Sequence, residues 1–356
     1  MVINKELSQK IKHISLISTV FVVLIHSVNV GMIPVFRFDF DSFIQSFISG
    51  YLSICAVPMF FIISGFLFFQ RFDFTVKGIS YKYMKMFIRL VLPYLFWSIS
   101  TIFFFLIMQT LPYTRLLFSN PDYHIANYDI NILLYRIFIY PLADHLWYIR
   151  DLVVLILISP LIFLIVDMIG LIYLLSLFFI WLVGYGWVFS NEITAITFFS
   201  LGSYIAIDNI AEKYQPLVSK NKCIVFLLIW IIVSLIIIIQ PFLYPYIKIL
   251  QVILYKISIV FGLLSLWYGY EIFKSRLIDN SFINKLSDYN FFIYLFHFSF
   301  MSLFKKFTFS IISFGTINNL IVYMITPFIT IYISYILGVT LKHRFASFYS
   351  FITGGR

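Results

Sequence analysis

Few ionisable side chains lie inside the long apolar runs of this chain, and His26 is the first that could do chemistry. It sits within an apolar run, residues 22–29. Such a group is costly in hydrocarbon and usually faces a cavity or a polar partner. A neutral imidazole can act as a general base when a hydroxyl attacks an acyl group, which typically contributes about 10²- to 10⁴-fold in rate. The sequence therefore favours a catalytic His26 over the alternative, a packing histidine bonded to a neighbouring carbonyl.

Two further histidines lie in or beside apolar runs. His297 has Tyr294 one turn earlier on the same helical face, and it could orient a substrate or bond to another helix. His145 opens a polar and aromatic stretch whose other candidates for substrate contact or support are Trp147, Tyr148 and Arg150. Aromatic rings at that depth are ordinarily interfacial anchors, and Arg150 with Asp151 could be a structural charge pair.

The motifs of several common enzyme classes are missing from the sequence. There is no P-loop, no dinucleotide glycine fingerprint and no histidine pair at zinc-protease spacing. Ser64-Gly65 lacks the full nucleophile-elbow pattern. Cys55 and Cys223 both lie inside apolar runs, which predicts core packing rather than a disulfide framework. We expect no metal site, and a chemistry that uses one buried imidazole remains.

The composition indicates whether these candidate residues lie in a soluble protein or in a membrane protein. Of the 356 residues, 62% are hydrophobic and 11% are charged, whereas soluble domains have about 25% charged residues. This excludes a soluble fold, and the high hydrophobicity also excludes disorder. The sequence predicts an all-α, polytopic membrane bundle of about ten helices in a single domain, residues 1–356. The expected spans are 14–36, 43–69, 88–110, 146–166, 170–189, 193–207, 223–240, 247–270, 287–304 and 319–341.

The positions of the basic residues predict the orientation. With the N-terminus inside, 17 Lys and Arg residues fall on the cytoplasmic side and 6 on the other side, as expected for cytoplasmic loops. The N- and C-termini are therefore predicted to be cytoplasmic. The same distribution accounts for the formal net charge of +10 without a nucleic-acid partner, which would need one basic water-facing patch.

Two polar segments lie between the predicted spans. The external loop, about residues 112–144, contains Asp122, His124, Asp129 and Asp144, which could touch a polar substrate or simply cap the bundle. The segment at about 71–89 alternates basic and aromatic residues, a pattern typical of a helix in the cytoplasmic interface. Such a segment attracts anions, whether lipid headgroups or a phosphorylated ligand. Lys256, deep in a later run, could snorkel to the interface or serve a phosphate in a cavity.

Several blocks, in order along the chain, resemble the membrane acyltransferase-3 family of bacterial surface-glycan O-acyltransferases. The first run ends at His26, as family first helices do. Residues 57–65 are similar to the Val-Pro-Leu-Phe-Phe-x-Ile-Ser-Gly block. Arg89 followed by Pro93 resembles the basic start of the third helix. The remaining similar blocks are His145 to Tyr148 with Ser159 to Leu161, and Tyr294 to His297.

The resemblance implies a function. It implies a cytoplasmic acyl-CoA donor, most often acetyl-CoA, and a sugar hydroxyl on a lipid-linked or exported glycan as acceptor, at the bacterial cytoplasmic membrane. No cofactor would be bound permanently, and the glycan synthesis machinery is a possible partner. His26 would be the catalytic base or would carry the acyl group. Residues that would bind the donor phosphates are Arg89, Lys85, Lys12 and Lys256.

One position departs from the family pattern. Many members have Arg or Lys eleven residues before the catalytic histidine, where this chain has Ser15; Lys12, one turn earlier on the same face, could substitute. Two other functions stay open. A glycan exporter or flippase would trap unmodified polymer inside the cell when lost, and a structural partner of a glycan synthase would tolerate substitution of His26, Arg89 and Trp147.

Overall fold

The chain folds into helices that mostly pack side by side, with no strand among the residues that the structure describes. The structure is a computed structural model that describes residues 5–29, 40–70, 72–118, 124–184, 190–208, 220–243, 247–312 and 315–355. Its helices are α1 Lys5–Ser27, α2 Phe40–Phe69, α3 Val76–Thr110, α4 Pro112–Arg115, α5 Ile130–Phe138, α6 Trp147–Leu157, α7 Ser159–Val183, α8 Ser190–Ile207, α9 Lys220–Leu243, α10 Lys248–Asp279, α11 Ser281–Asp288, α12 Asn290–Ile311, α13 Thr316–Arg344 and α14 Ala346–Thr353. Parts of the predicted segments lie outside the described residues, namely 30–36, Arg71, 119–123 with Asp122, and 185–189.

The chain is a multi-pass membrane protein. Within the described ranges, seven helices are long and apolar enough to cross a bilayer: α1, α2, α3, α7, α10, α13 and the part of α9 from Asn221 to Gln240. The predicted spans 146–166, 193–207 and 287–304 correspond to α6 with the start of α7, to α8 and to α12. These helices carry polar residues that are packed inside the bundle, such as Thr197, Ser200 and His297. The count of ten and the orientation stay predictions.

Helix α1 differs from its predicted bounds. The sequence predicted a span at 14–36 with His26 twelve residues inside it, but the helix runs from Lys5 to Ser27 and has His26 in its last turn. The prediction excluded the charged start because charges disfavour a span, yet those charges are paired. Lys10 bonds Glu271 at 2.6 Å, and Glu6 pairs with Lys274. His26 therefore lies at the end of a helix.

Two prolines explain irregular turns in the long helices. A proline inside a helix removes the hydrogen bond to the carbonyl four residues earlier, which is Arg89 for Pro93 and Ile54 for Pro58. Helix α3 widens to a π-helix over Phe87–Val91, just before Pro93. Helix α2 passes through a π-helix and a 3₁₀ turn just before Pro58. The two prolines thus account for the irregular backbone at Arg89 and in the turns just before the 57–65 block.

The basic segment predicted at about 71–89 is continuous with the third span. Thr75 caps the start of α3 by accepting a hydrogen bond from the Gly78 amide at 3.1 Å, and the helix runs on from Val76 without a break. The span therefore starts twelve residues earlier than the predicted residue 88. Most side chains from Val76 to Arg89 are exposed or half-buried, so their placement in the cytoplasmic interface stays a prediction.

The external loop contributes caps in the part that the structure describes. Asp129 caps α5 by accepting from the Ile132 amide at 2.7 Å, and a ring nitrogen of His124 lies 3.0 Å from the Phe118 carbonyl oxygen. Ile125 is buried and packs with Ile102 and Phe105. These contacts favour the bundle-capping alternative for Asp129 and His124.

Candidate active site

Three histidines that lie far apart in the sequence meet in the structure. His26 comes from the end of α1, His145 from the 3₁₀ turn Asp144–Leu146 before α6, and His297 from the middle of α12. The ring centroids are 5.5 Å apart for His26 and His297, 6.1 Å for His26 and His145, and 4.5 Å for His145 and His297. We call these three residues the histidine cluster. The sequence analysis identified each of them but did not predict that they meet.

The three rings differ in exposure. His297 is fully buried and His145 is 2% exposed, whereas His26 is half-buried. No described residue makes a hydrogen bond to the His26 ring. Of the three histidines, His26 is therefore the least buried. Phe298, which the sequence analysis missed, packs its ring 5.6 Å from both His26 and His145.

Hydrogen bonding fixes the state of the His297 ring. Its Nδ1 lies 2.6 Å from the Tyr294 carbonyl oxygen, which can only accept, so Nδ1 carries a proton and, in the neutral ring, Nε2 presents a lone pair. The Nε2 atom of His297 and both ring nitrogens of His145 are buried without a partner in the described part of the chain. Buried polar atoms without a partner are costly, and a catalytic role or an ordered water is among the explanations for them.

Tyr294 connects the two buried histidines. Its hydroxyl donates to the His145 carbonyl oxygen, and its own carbonyl accepts from His297. The Tyr294 ring also packs 5.2 Å from the His145 ring. The Tyr-x-x-His spacing, which the sequence analysis noted as a resemblance, thus holds both buried imidazoles in one rigid arrangement.

Tyr148 extends this aromatic layer toward α2. Its ring lies 6.0 Å from the Tyr294 ring and 5.5 Å from the Phe60 ring. Its hydroxyl lies 2.8 Å from the Ser64 hydroxyl oxygen. Ser64 is therefore engaged in a contact between helices, which agrees with the sequence argument against a serine nucleophile.

Trp147 and Arg150 make other contacts. The Trp147 ring is half-buried and lies 6.1 Å from the Phe61 ring. Arg150 forms an ion pair with Asp151 at 2.6 Å and donates to the Ile139 carbonyl oxygen. These contacts favour the alternative that Arg150 and Asp151 are a structural charge pair, and they give Trp147 a packing role.

The predicted donor-binding residues fall into two groups. The first group, Arg89 and Lys85, is exposed. Both lie in the N-terminal half of α3. The Lys85 ammonium lies 4.2 Å from the Tyr81 ring centroid. Arg89 lies in the π-helical turn, where the residue that follows α14 packs closely against the Arg89 main chain. Gly354 there adopts a left-handed φ of 65°, and a Cβ atom at this position would lie 2.6 Å from the Arg89 carbonyl oxygen.

The second group consists of Lys12 and Lys256, whose charges are already engaged. Lys12 pairs with Asp288 at 2.7 Å. The Lys256 ammonium donates to the carbonyl oxygens of Trp181, Leu182 and Gly184 at the end of α7. A cation at a helix C-terminus satisfies free carbonyls and interacts well with the helix dipole. Lys256 thus caps α7, and a phosphate-binding role for either lysine stays a prediction.

Groups of three or more His, Cys, Asp or Glu residues arranged to hold a metal ion do not occur among the described residues. Cys55 and Cys223 are buried and free. An imidazole can accept or donate a proton near neutral pH, and in the histidine cluster His26 lies beside two imidazoles that Tyr294 contacts hold.

Comparison with known proteins adds one finding. The model of the Acyl_transf_3 family, described as an acyltransferase domain, matches residues 11–339. This range includes all three members of the histidine cluster, as well as Arg89 and Lys85. No curated protein and no solved structure matches the chain.

Proposed function

Since the chain belongs to the acyltransferase-3 family, we propose that it moves an acyl group, acetyl in the simplest case, from cytoplasmic acyl-CoA to a hydroxyl of a cell-surface or lipid-linked glycan. His26 is the catalytic base. The observation that carries this proposal is the histidine cluster, in which the His26 ring lies beside two more deeply buried imidazoles. The site would work in the cytoplasmic membrane of a bacterium.

The proposed reaction needs one proton acceptor. A ring nitrogen of His26 takes the proton of the acceptor hydroxyl as its oxygen attacks the thioester carbonyl. The carbon–sulfur bond then breaks, and the imidazolium returns the proton to the departing thiolate, which yields an ester and free CoA thiol. General base catalysis of this kind contributes about 10²- to 10⁴-fold, and alignment of the two substrates supplies further rate.

The exposure and contacts of the basic residues support a donor site in the N-terminal half of α3. Phosphates are bound well by an exposed guanidinium, which offers several donors in a fixed geometry. Arg89 and Lys85 are exposed, whereas Lys12 and Lys256 are engaged elsewhere. Arg89 lies thirteen residues before Ile102, which packs in the same cluster as Phe298. At 1.5 Å per residue this is about 20 Å along the helix, a separation that suits a donor whose phosphates and thioester are joined by a long pantetheine arm.

An assay with purified protein tests the function. The protein in lipid nanodiscs, given labelled acetyl-CoA and a surface polysaccharide, should transfer label to the polysaccharide. If no label is transferred, and if cells without the protein accumulate unmodified polymer inside, the proposal is wrong and glycan export is the better function.

Arg89→Gln should raise the KM for acyl-CoA by about tenfold and leave kcat much less affected. A charge-assisted hydrogen bond is worth about 1.5–3 kcal/mol, and each 1.4 kcal/mol is tenfold in affinity. The matched control is Arg344→Gln, which removes an exposed arginine at the end of α13 and should leave KM unchanged. Equal KM values for the two variants would exclude Arg89 from the donor site.

A further inference from the structure

The end of α1 that carries His26 is held by side chains from two other helices. The last carbonyls of any helix have no partner within it, and in a membrane each must find one elsewhere. The Leu24 carbonyl oxygen accepts from the Ser27 hydroxyl at 2.7 Å and from the Ser49 hydroxyl of α2 at 2.6 Å. The carbonyl oxygens of His26 and Val28 accept from a residue of α12.

That residue is Lys305. Its ammonium donates to the His26 carbonyl oxygen at 2.9 Å and to the Val28 carbonyl oxygen at 3.0 Å. The ammonium stands at a helix C-terminus, where the helix dipole favours a positive charge. A single side chain thus closes the last turn of α1 at the residue whose ring is the proposed base.

Helix α12 contacts α1 at two levels. His297 and Lys305 are eight residues apart, so they lie on one helical face about 12 Å apart along the axis. Met301, between them on that face, is 1% exposed. His297 places its ring 5.5 Å from the His26 ring, and Lys305 holds the His26 main chain. One contact packs against the His26 ring and the other binds its main-chain carbonyl, so the side chain is constrained at its tip and at its base.

We propose that Lys305 is a positioning residue for His26, which it holds in a productive orientation through the main chain at the end of α1. This inference rests on the proposed function, because the orientation matters for transfer only if His26 is the base. A displacement of about 1 Å in a catalytic group can cost about 100-fold in rate. The sequence analysis counted Lys305 only among the basic residues of the external side.

The adjacent lysine provides a matched control. Lys306 is also half-buried and also donates to a carbonyl, that of Leu117 at 2.9 Å, with its ammonium 4.6 Å from the Phe118 ring. Its partners, Leu117 and Phe118, lie in the segment after α4 and not in α1. Lys305→Met and Lys306→Met therefore remove the same charge and the same kind of hydrogen bond, and only the first frees the end of α1.

The first measurement is steady-state kinetics of both variants in nanodiscs. Lys305→Met should lower kcat by about 10- to 100-fold with the KM for acetyl-CoA unchanged, whereas Lys306→Met should keep both parameters. Lys305→Arg retains the charge and the donors and should recover most of kcat. A kcat of Lys305→Met equal to that of Lys306→Met, at equal amounts of folded protein, would overturn the proposal.

The second measurement does not depend on activity. Diethyl pyrocarbonate modifies accessible imidazoles, and mass spectrometry of the His26 peptide gives the rate at that ring. Lys305→Met should accelerate His26 modification severalfold over wild type, and Lys306→Met should not. If wild type transfers no acyl group and this acceleration is still seen, the proposed function fails while the positioning role stands. Equal rates in all three proteins would refute the positioning role whatever the activity.

Discussion

His26→Gln should lower kcat for acyl transfer by about 10²- to 10⁴-fold, the range expected when a general base is removed. Glutamine keeps a polar side chain of similar size, but it cannot take a proton from the acceptor hydroxyl. His145 and His297 are more deeply buried than His26, so we expect neither to replace it at the substrate. The measurement is the initial rate of label transfer from acetyl-CoA at saturating concentrations of both substrates.

The control for this variant is His343→Gln. His343 is exposed in the last turn of α13, so its substitution should change neither kcat nor the amount of folded protein. If His26→Gln is folded, its elution profile and its thermal midpoint should match those of wild type. Transfer at the wild-type rate by a folded His26→Gln protein would show that His26 is not the catalytic base and that the active site is wrongly assigned.

The composition of the site was largely predictable from sequence, but its geometry was not. His26, His145 and His297 stand out because ionisable residues are rare in apolar runs. Their convergence depends on how three separate helices pack, and nothing in local sequence reports that contact. The same reason explains why Lys305 was missed. It looked like one more basic residue near a span, and only the structure shows that it meets the end of α1.

The all-α membrane fold was predictable, and the helix bounds were less so. Hydropathy treats each charge as isolated, so the start of α1 looked too polar to be part of the membrane span. Lys10 and Glu6 find partners in α10, which is more than 250 residues away. The same averaging separated the basic segment from α3, although the helix is continuous from Val76. Tertiary pairing, which a window of sequence cannot show, accounts for the start of α1, whereas the local Thr75 cap marks the start of α3.

The family-like Ser64-Gly65 block illustrates how a motif can have a packing role. Helices α2 and α8 pack closely at this point, and small residues line the contact. Thr197, Ser200 and Ser203 of α8 are fully buried. Small residues let helix backbones approach closely in membranes, where packing drives association. Gly65 and Gly202 face the opposite backbone on the two helices.

Gly202→Ala and Gly65→Ala should both prevent normal folding of the bundle. A Cβ atom at Gly202 would collide with the Ile62 carbonyl oxygen and lie 2.8 Å from the Phe66 amide nitrogen. A Cβ atom at Gly65 would collide with the Phe199 carbonyl oxygen and lie 3.1 Å from the Ser203 amide nitrogen. The colliding atoms belong to the backbone and cannot rotate away, so the helices must separate, at a cost of about 3 kcal/mol or more.

Gly269→Ala in α10 is the matched control, because no atom lies within 4 Å of the added Cβ. Alanine is favoured over glycine inside a helix by about 0.5–1 kcal/mol, so this variant should be slightly more stable than wild type. The readouts are the yield of monodisperse protein in detergent and its thermal midpoint. The same chemical change is thus expected to act with opposite sign at two kinds of site. If Gly202→Ala matched Gly269→Ala in yield and midpoint, the close contact between α2 and α8 would be wrong.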